Sequence, residues 1–317
     1  MKFQKILMIG FEADNLGTIE WDRIKGLSDS YVIVPKDSEK IINELSDTDC
    51  LLVKLGATVD KKMMDVAPKL KYIGMLGTGY GRIDTAYASE KGITVCNIAG
   101  YSTNGVAELV IGLILEHIRD ISRAKVNALN GEYSEDSFSG YEISGKNFGV
   151  VGLGLIGARV AAIASSGFGA NVSYWSRTRK QAAEIGNVKF VDNVKDMLAN
   201  SDFISINMAY TSETANFFNA ALISSFKAGS VVVNTAPMEL IDIDALCARL
   251  GKKDFYFILD HSDELSAEQA KQLSHYENCI MYPPIGYITD EATLGKKVMF
   301  VDNLQNYLNN QPTNKVN

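Results

Sequence analysis

The sequence predicts an α/β protein with two doubly wound parallel sheets. Three observations carry that expectation. Short β-branched runs bounded by turn residues alternate with longer segments of helical period, the pattern of parallel strands joined by crossover helices. The chain has 317 residues, more than a single hydrophobic core usually serves, so two domains are expected rather than one. Its composition, 46% hydrophobic and 22% charged with 26 glycines against 6 prolines, is globular and excludes disordered and fibrous classes.

The candidate strands of the first part are residues 5–9, 31–34, 50–55, 72–76 and 93–97. A long helix follows. Ser102 or Thr103 is placed to accept its free first-turn N–H groups, and Val106, Leu109, Val110, Leu113, Ile114, Ile118 and Ile121 fall on one face at i, i+3, i+4 and i+7. This helix is expected to join the two domains. From Ser122 to Lys146 the chain turns polar and rich in glycine and serine, which predicts a surface arm or loop. A second series of strands is expected at residues 148–153, 171–175, 202–208, 230–234, 255–260 and 279–282. The last helical stretch, residues 290–308, follows the final strand and is free to pack back on the first domain.

The formal charge of −7, from 31 Lys+Arg against 38 Asp+Glu, supplies no basic excess for nucleic acid or anionic lipid, and a small-molecule partner is expected instead. The longest uncharged stretch, Val160 to Ser176, contains Gly167, Gly169, Asn171 and four serines, so no membrane span is predicted. The early run Ile6-Leu7-Met8-Ile9 is soon followed by Glu12 and Asp14, unlike a signal peptide. Cys50, Cys96, Cys247 and Cys279 lack C-x-x-C spacing and read as reduced, buried thiols of a cytoplasmic protein; no metal site is predicted. There are three histidines, His117, His261 and His275.

Gly152-Leu153-Gly154-Leu155-Ile156-Gly157 is a G-x-G-x-x-G that follows a strand and opens an alanine-rich helix at residues 158–164. In that setting the pattern predicts a dinucleotide site. The first glycine makes the tight turn, the second lets backbone approach a pyrophosphate, and the third lets helix pack on strand, while the N–H groups of the helix start donate to phosphate. At the end of the next strand, where an NAD site usually has an acid, the chain reads Ser176-Arg177-Thr178-Arg179. A hydroxyl and two guanidinium groups suit a 2′-phosphate, so NADP(H) is expected over NAD(H); a solvated basic turn is the other reading.

Several further segments resemble the D-2-hydroxyacid dehydrogenase family, which includes glyoxylate/hydroxypyruvate reductases and phosphoglycerate dehydrogenases. They are Gly77-Thr78-Gly79-Tyr80-Gly81-Arg82-Ile83-Asp84, Gly92-Ile93-Thr94-Val95-Cys96-Asn97, Ala107-Glu108, Ser201-Asp202-Phe203, Thr211-Ser212-Glu213-Thr214, Asn234-Thr235-Ala236 and Leu259-Asp260. The resemblance implies a discontinuous, flavodoxin-like substrate domain (residues 1–101 plus 289–317) and a Rossmann dinucleotide-binding domain (102–288). It also implies a homodimer through the cofactor domain and hydride transfer between nicotinamide and a 2-oxo or 2-hydroxy acid. Met208, Thr214, Thr235, Ala236 and Asp260 are implied at the cofactor, and Lys54, Leu55, Gly56, Gly79 and Tyr80 at the substrate.

The catalytic positions depart from the family pattern. Its N-T-A-R-G-G motif supplies an arginine that clamps the substrate carboxylate, and here the run is Asn234-Thr235-Ala236-Pro237-Met238-Glu239. Its P-H-I-G motif supplies the proton donor, and here the run is Pro283-Pro284-Ile285-Gly286. The family glutamate falls on Leu265, with Glu264 one residue away. Positioned acid catalysis is worth about 10²–10⁴-fold, and proline has neither a side-chain donor nor an N–H. Candidate replacements are His261 at a strand end, Tyr287 if a nearby cation lowers its pKa, Glu264, and Lys54 as a source of positive charge. Glu264 could serve only with a small backbone shift, and the other three have plainer alternatives: a surface imidazole for His261, a packing aromatic for Tyr287 and a solvated strand-end lysine for Lys54. His117 reads as structural and His275 as loop surface. Two functions are therefore open: an oxidoreductase with an altered site acting on a carbonyl or imine compound, or a dinucleotide-binding sensor without turnover.

Overall fold

The computed structural model describes residues 1–54, 56–211 and 213–317. The chain divides into two compact units, Met1–Ser102 with Thr289–Asn317, and Thr103–Ile288. In the first, β1 (Phe3–Ile9), β2 (Ser28–Val34), β3 (Cys50–Lys54), β4 (Tyr72–Leu76) and β5 (Thr94–Cys96) form a parallel sheet in the order β2-β1-β3-β4-β5. Helices α1 (Thr18–Gly26), α2 (Ile41–Leu45), α3 (Lys61–Asp65) and α4 (Thr85–Glu90) make the crossovers. This is the flavodoxin-like order, whose topological switch point lies between β1 and β3. Strands covered on both faces read as continuous apolar runs, and the whole of β4 is buried. Leu7, Leu51, Val53 and Ile73 pack on one face, and Ile6, Met8, Leu52 and Tyr72 on the other.

The second unit opens with α5 (Thr103–Arg119) and α6 (Ile121–Leu129). Strands β6 (Asn147–Val151), β7 (Asn171–Trp175), β8 (Val188–Phe190), β9 (Phe203–Ile206), β10 (Val231–Asn234), β11 (Tyr256–Leu259) and β12 (Cys279–Met281) form a parallel sheet in the order β12-β11-β10-β9-β6-β7-β8. Between them run α7 (Leu155–Ala162), α8 (Val194–Asn200), α9 (Ala220–Ile223), α10 (Ile243–Leu250) and α11 (Ala267–Leu273). From the β8 edge this is the Rossmann order 3-2-1-4-5-6 with one strand added, and its switch point lies between β6 and β9. Val110, Ile114 and Ile118 of α5 pack with Phe148, Val150 and Val160 on one face of the sheet.

The chain then returns to the first unit as α12 (Asp290–Leu308), whose first turn is capped by the Thr289 hydroxyl accepting the Ala292 N–H at 3.0 Å. Phe300, Val301, Leu304 and Leu308 join the core around Ile6, Met8, Leu52 and Tyr72. The tail covers the β5 edge: Val316 N–H donates to the Val95 carbonyl at 2.9 Å, and Val95 N–H to Asn317 Oδ1 at 2.8 Å.

Three local expectations are corrected. The long helix breaks at Asp120, which adopts the left-handed conformation (φ 50°). The arm expected over residues 122–146 begins as α6, because the glycine-containing turns start only at Asn130. Strand β8 was not foreseen; its three residues, Val-Lys-Phe, carry too little alternation to signal a strand. All four cysteines are free and buried, and desolvation pushes the Cys279 thiol up to about 12.

Candidate functional site

The glycine turn lies at the C-terminal end of β6, where a Rossmann sheet binds its ligand. Gly152 has φ +91°, and a Cβ there would come within 2.8 Å of the Asn207 carbonyl oxygen. A Cβ on Gly157 would lie 2.0 Å from the Gly152 carbonyl oxygen, so α7 packs on β6 only with glycine there. Gly154 is different: a Cβ would meet nothing within 4 Å, although the residue is the N-cap of α7 and offers no side-chain cap. The N–H groups at Leu155 and Ile156 are therefore left for an external acceptor, with Leu155 63% exposed. Open space facing uncapped donors at the positive end of a helix fits the pyrophosphate of a dinucleotide.

After β7, Ser176 is half-buried and donates its hydroxyl to the Thr178 carbonyl at 2.7 Å. Arg179 is committed elsewhere. Its Nε and Nη2 donate to the two Glu184 oxygens at 2.8 and 2.7 Å, an ion pair that holds the Glu184 carboxyl below its usual range. Of the two guanidinium groups expected at this turn, Arg177 is exposed and has no ion-pair partner among the described residues, while Arg179 carries the Glu184 pair.

At the ends of the next strands several expected contacts are already used. Thr214 Oγ1 accepts the Thr211 N–H at 2.7 Å and closes its own turn, in which Ser212 lies outside the described residues. The Ala236 N–H donates to Asn234 Oδ1 at 3.2 Å. Met208 is half-buried beside the turn, and Thr235 Oγ1 and Asn207 Oδ1 are buried with no partner among the described residues. Buried polar atoms are normally satisfied, so these two call for a ligand or water.

Asp260 follows β11 and is 1% exposed. Its Oδ1 accepts the Ile285 N–H at 2.9 Å and its Oδ2 the Gly286 N–H at 3.2 Å. Burial raises its pKa, against the pull of those two donors and His261. The carboxylate thereby anchors the turn containing Pro284. A Cβ on Gly286 would lie 2.7 Å from Asp260 Oδ2, which makes that glycine obligatory, a constraint sequence reasoning missed.

Glu264 Oε2 accepts the Met238 N–H at 2.9 Å and so anchors the turn containing Pro237. Its Oε1 is 3.7 Å from His261 Nδ1, and Asp263 Oδ1 is 3.8 Å from the same nitrogen. These are charge contacts rather than hydrogen bonds. Desolvation raises the Glu264 pKa. The structure therefore brings His261, Asp263, Glu264 and Pro237 together at one end of the second sheet. Tyr287 fails the condition set for it: burial, with Asp263 and Asp260 nearby, raises its pKa, and no cation lowers it. His117 packs on the Tyr256 ring at 4.1 Å and is depressed by burial, a structural role, while His275 is exposed.

In the first unit Lys54 ends β3 and is half-buried, and Leu55 lies outside the described residues. Gly56 (φ +85°) accepts from Arg82 Nη1 at 3.3 Å. Gly79 and Tyr80 are exposed after β4, in a turn closed by the Ile83 N–H to the Tyr80 carbonyl at 2.9 Å. Among the described residues no group of three or more His, Cys, Asp or Glu is placed to hold a metal. No helix among them is long and apolar enough to cross a membrane.

Residues 111–286 match the family model for the NAD binding domain of D-isomer specific 2-hydroxyacid dehydrogenases. The chain belongs to that family. A glyoxylate reductase of Thermococcus litoralis is 32% identical over 289 residues, covering 87% of this chain and 86% of the relative. The family's D-3-phosphoglycerate dehydrogenase of Methanocaldococcus jannaschii is 34% identical over 255 residues, 80% of this chain but only 48% of that longer protein. Among solved structures, an acyclic imino acid reductase in complex with NADPH and D-Arg superposes with a TM-score of 0.86 at 25% identity, covering 99% of this chain and 100% of that one. A D-lactate dehydrogenase of Aquifex aeolicus, complexed with NAD and lactic acid, shares the family fold with a TM-score of 0.82 at 24% identity, covering 96% of each chain.

Proposed function

We propose that the chain is an NAD(P)H-dependent reductase acting on a 2-imino acid, formed from a 2-oxo acid and an amine, in an altered active site. The observation that carries this reading is Pro237 and Pro284 at the family's arginine and histidine positions, beside an open dinucleotide cradle. A neutral carbonyl needs a proton delivered to oxygen as hydride arrives. A protonated imine brings that proton on its nitrogen. Hydride then adds to carbon, the C=N π pair moves to nitrogen, and an amine results without an acid from the protein. The Gly152–Gly157 turn would hold the pyrophosphate of a reduced dinucleotide, which would supply the hydride. Asp263 and Glu264, each within 4.0 Å of His261 Nδ1, are carboxyl groups whose negative charge favours a cationic C=N over a neutral C=O. The similarity to the imino acid reductase supports the same reading.

Lys54 remains the candidate for receiving the substrate carboxylate. Arg177 supports NADPH over NADH; a fluorescence titration in which NADH binds more tightly removes that preference. The exposed Ile121, Val126 and Leu129 of α6 support a homodimer through the cofactor unit.

The deciding experiment follows NADPH oxidation with 2-oxo acids alone and with the same acids plus ammonia or methylamine. Turnover that depends on the amine is expected. Equal rates without amine would overturn imine reduction in favour of carbonyl chemistry. The two prolines also favour a second reading, a dinucleotide-binding sensor, and binding of NADPH with no turnover on any substrate would establish it.

A further inference from the structure

The first unit carries lysines that its own carboxylates do not neutralise. Lys54 ends β3, directly beside the β1/β3 switch point at which a flavodoxin-like sheet binds its ligand. Lys36 follows β2, and its ammonium lies 3.7 Å from the position of a Cβ on Gly56, the second residue after Lys54. Lys296 comes from α12. Phe300, one turn further along that helix, lies over Gly74 of β4, its ring 3.5 Å from a Cβ built there. The i, i+4 spacing sets Lys296 on the same helix face. It is half-buried, and burial first, then the charges of Lys54 and Lys297, lower its pKa; no carboxylate is among the charges acting on it. None of these four lysines has an ion-pair partner among the described residues.

Half-buried like charges repel, and folding tolerates them when function supplies the counter-charge. We propose that Lys54 and Lys296, with Lys36 at the rim, form an anion subsite that receives the carboxylate of the substrate acid. The subsite brings two ammonium groups, from β3 and α12 of the same unit, to one anion. Arg82 is a positioning residue in this scheme, because its guanidinium donates to the carbonyl of Gly56, the residue beside which the Lys36 ammonium lies.

That the anion is a substrate carboxylate rests on the reductase reading, so the test is made independent of turnover. Oxalate and inorganic phosphate, neither of which accepts hydride, are titrated calorimetrically onto the full chain with and without saturating NADPH. Wild type is expected to bind oxalate more tightly than phosphate. Lys54→Gln and Lys296→Gln should each weaken oxalate about tenfold or more, with NADPH affinity and the thermal midpoint showing that both remain folded. Lys2→Gln, a charge change before β1 at the opposite end of the sheet, should bind oxalate as wild type does. Oxalate binding equal in wild type and both variants would overturn the subsite, as would no oxalate binding at all. Phosphate binding more tightly than oxalate would overturn the carboxylate assignment. If no substrate is turned over but the lysine-dependent oxalate binding persists, the reductase reading fails and the subsite stands.

Discussion

At the scale of single residues, the two inner glycines of the dinucleotide turn separate folding from binding. Gly157→Ala would force a Cβ to within 2.0 Å of a backbone oxygen, so a loss of about 1–3 kcal/mol of stability is expected from denaturant unfolding, with NADPH binding lost as α7 lifts from β6. Gly154→Ala meets no protein atom and has an ordinary extended backbone, φ −79° and ψ −162°. The poorer N-cap that alanine makes opposes the entropy gained from a stiffer unfolded chain, so stability should change by no more than about 1 kcal/mol, yet NADPH should bind about tenfold or more weakly because the cradle is filled. Lys296 offers the converse case. Its pKa is lowered in the folded chain, so between that value and the unfolded 10.5 the unfolded chain binds more protons and wild-type stability rises with pH. Lys296→Met should therefore have the higher thermal midpoint at pH 7, and its advantage should narrow as pH rises toward 10.5; a gap that widens would contradict the cationic crowding around it. The glycine roles were legible from spacing alone, because backbone clearance is a local property. Lys296 was not, since a lysine in the second turn of an amphipathic helix carries no mark of what faces it. For Tyr287 the sequence placed the phenol but not its surroundings, in which burial first and then Asp263 and Asp260 raise the pKa.

At the scale of elements, α12 shows how a segment remote in sequence completes a core. Phe300 is 1% exposed and stacks on Phe11 with ring centroids 5.8 Å apart. Phe300→Ala should cost about 3–5 kcal/mol in chemical denaturation. If the loss is confined to the first unit, the NADPH affinity measured below the transition should remain that of wild type. Eleven of the twelve strands and the final helix could be read from apolar runs and period, because parallel strands buried on both faces announce themselves. The rest, β8 and the break between α5 and α6, depend on three residues and on one left-handed aspartate, too little sequence for a period to form. The two proline turns are held by Asp260 and Glu264 through hydrogen bonds across 25 or 26 positions of sequence, from residue 260 to 285 and 286 and from 238 to 264, which no local pattern reveals.

At the scale of the whole molecule, the chain joins two parallel-sheet units with different strand orders, and each places its sequence-marked residues at the C-terminal end of its sheet. The family resemblance was legible across nearly the whole length, whereas the chemistry was not, because fold and reaction are specified by different residues. The return of α12 and the tail to the first unit also orders events during synthesis. As the chain leaves the ribosome, the first hundred residues emerge without Phe300, Val301 and Leu304 to cover one face of their sheet and without Val316 to cover the β5 edge. Residues 103–288 emerge as a contiguous unit and can close first. The segment made earliest thus finishes last, and through that interval its exposed apolar face and open strand edge are the part of the nascent protein most in need of a chaperone.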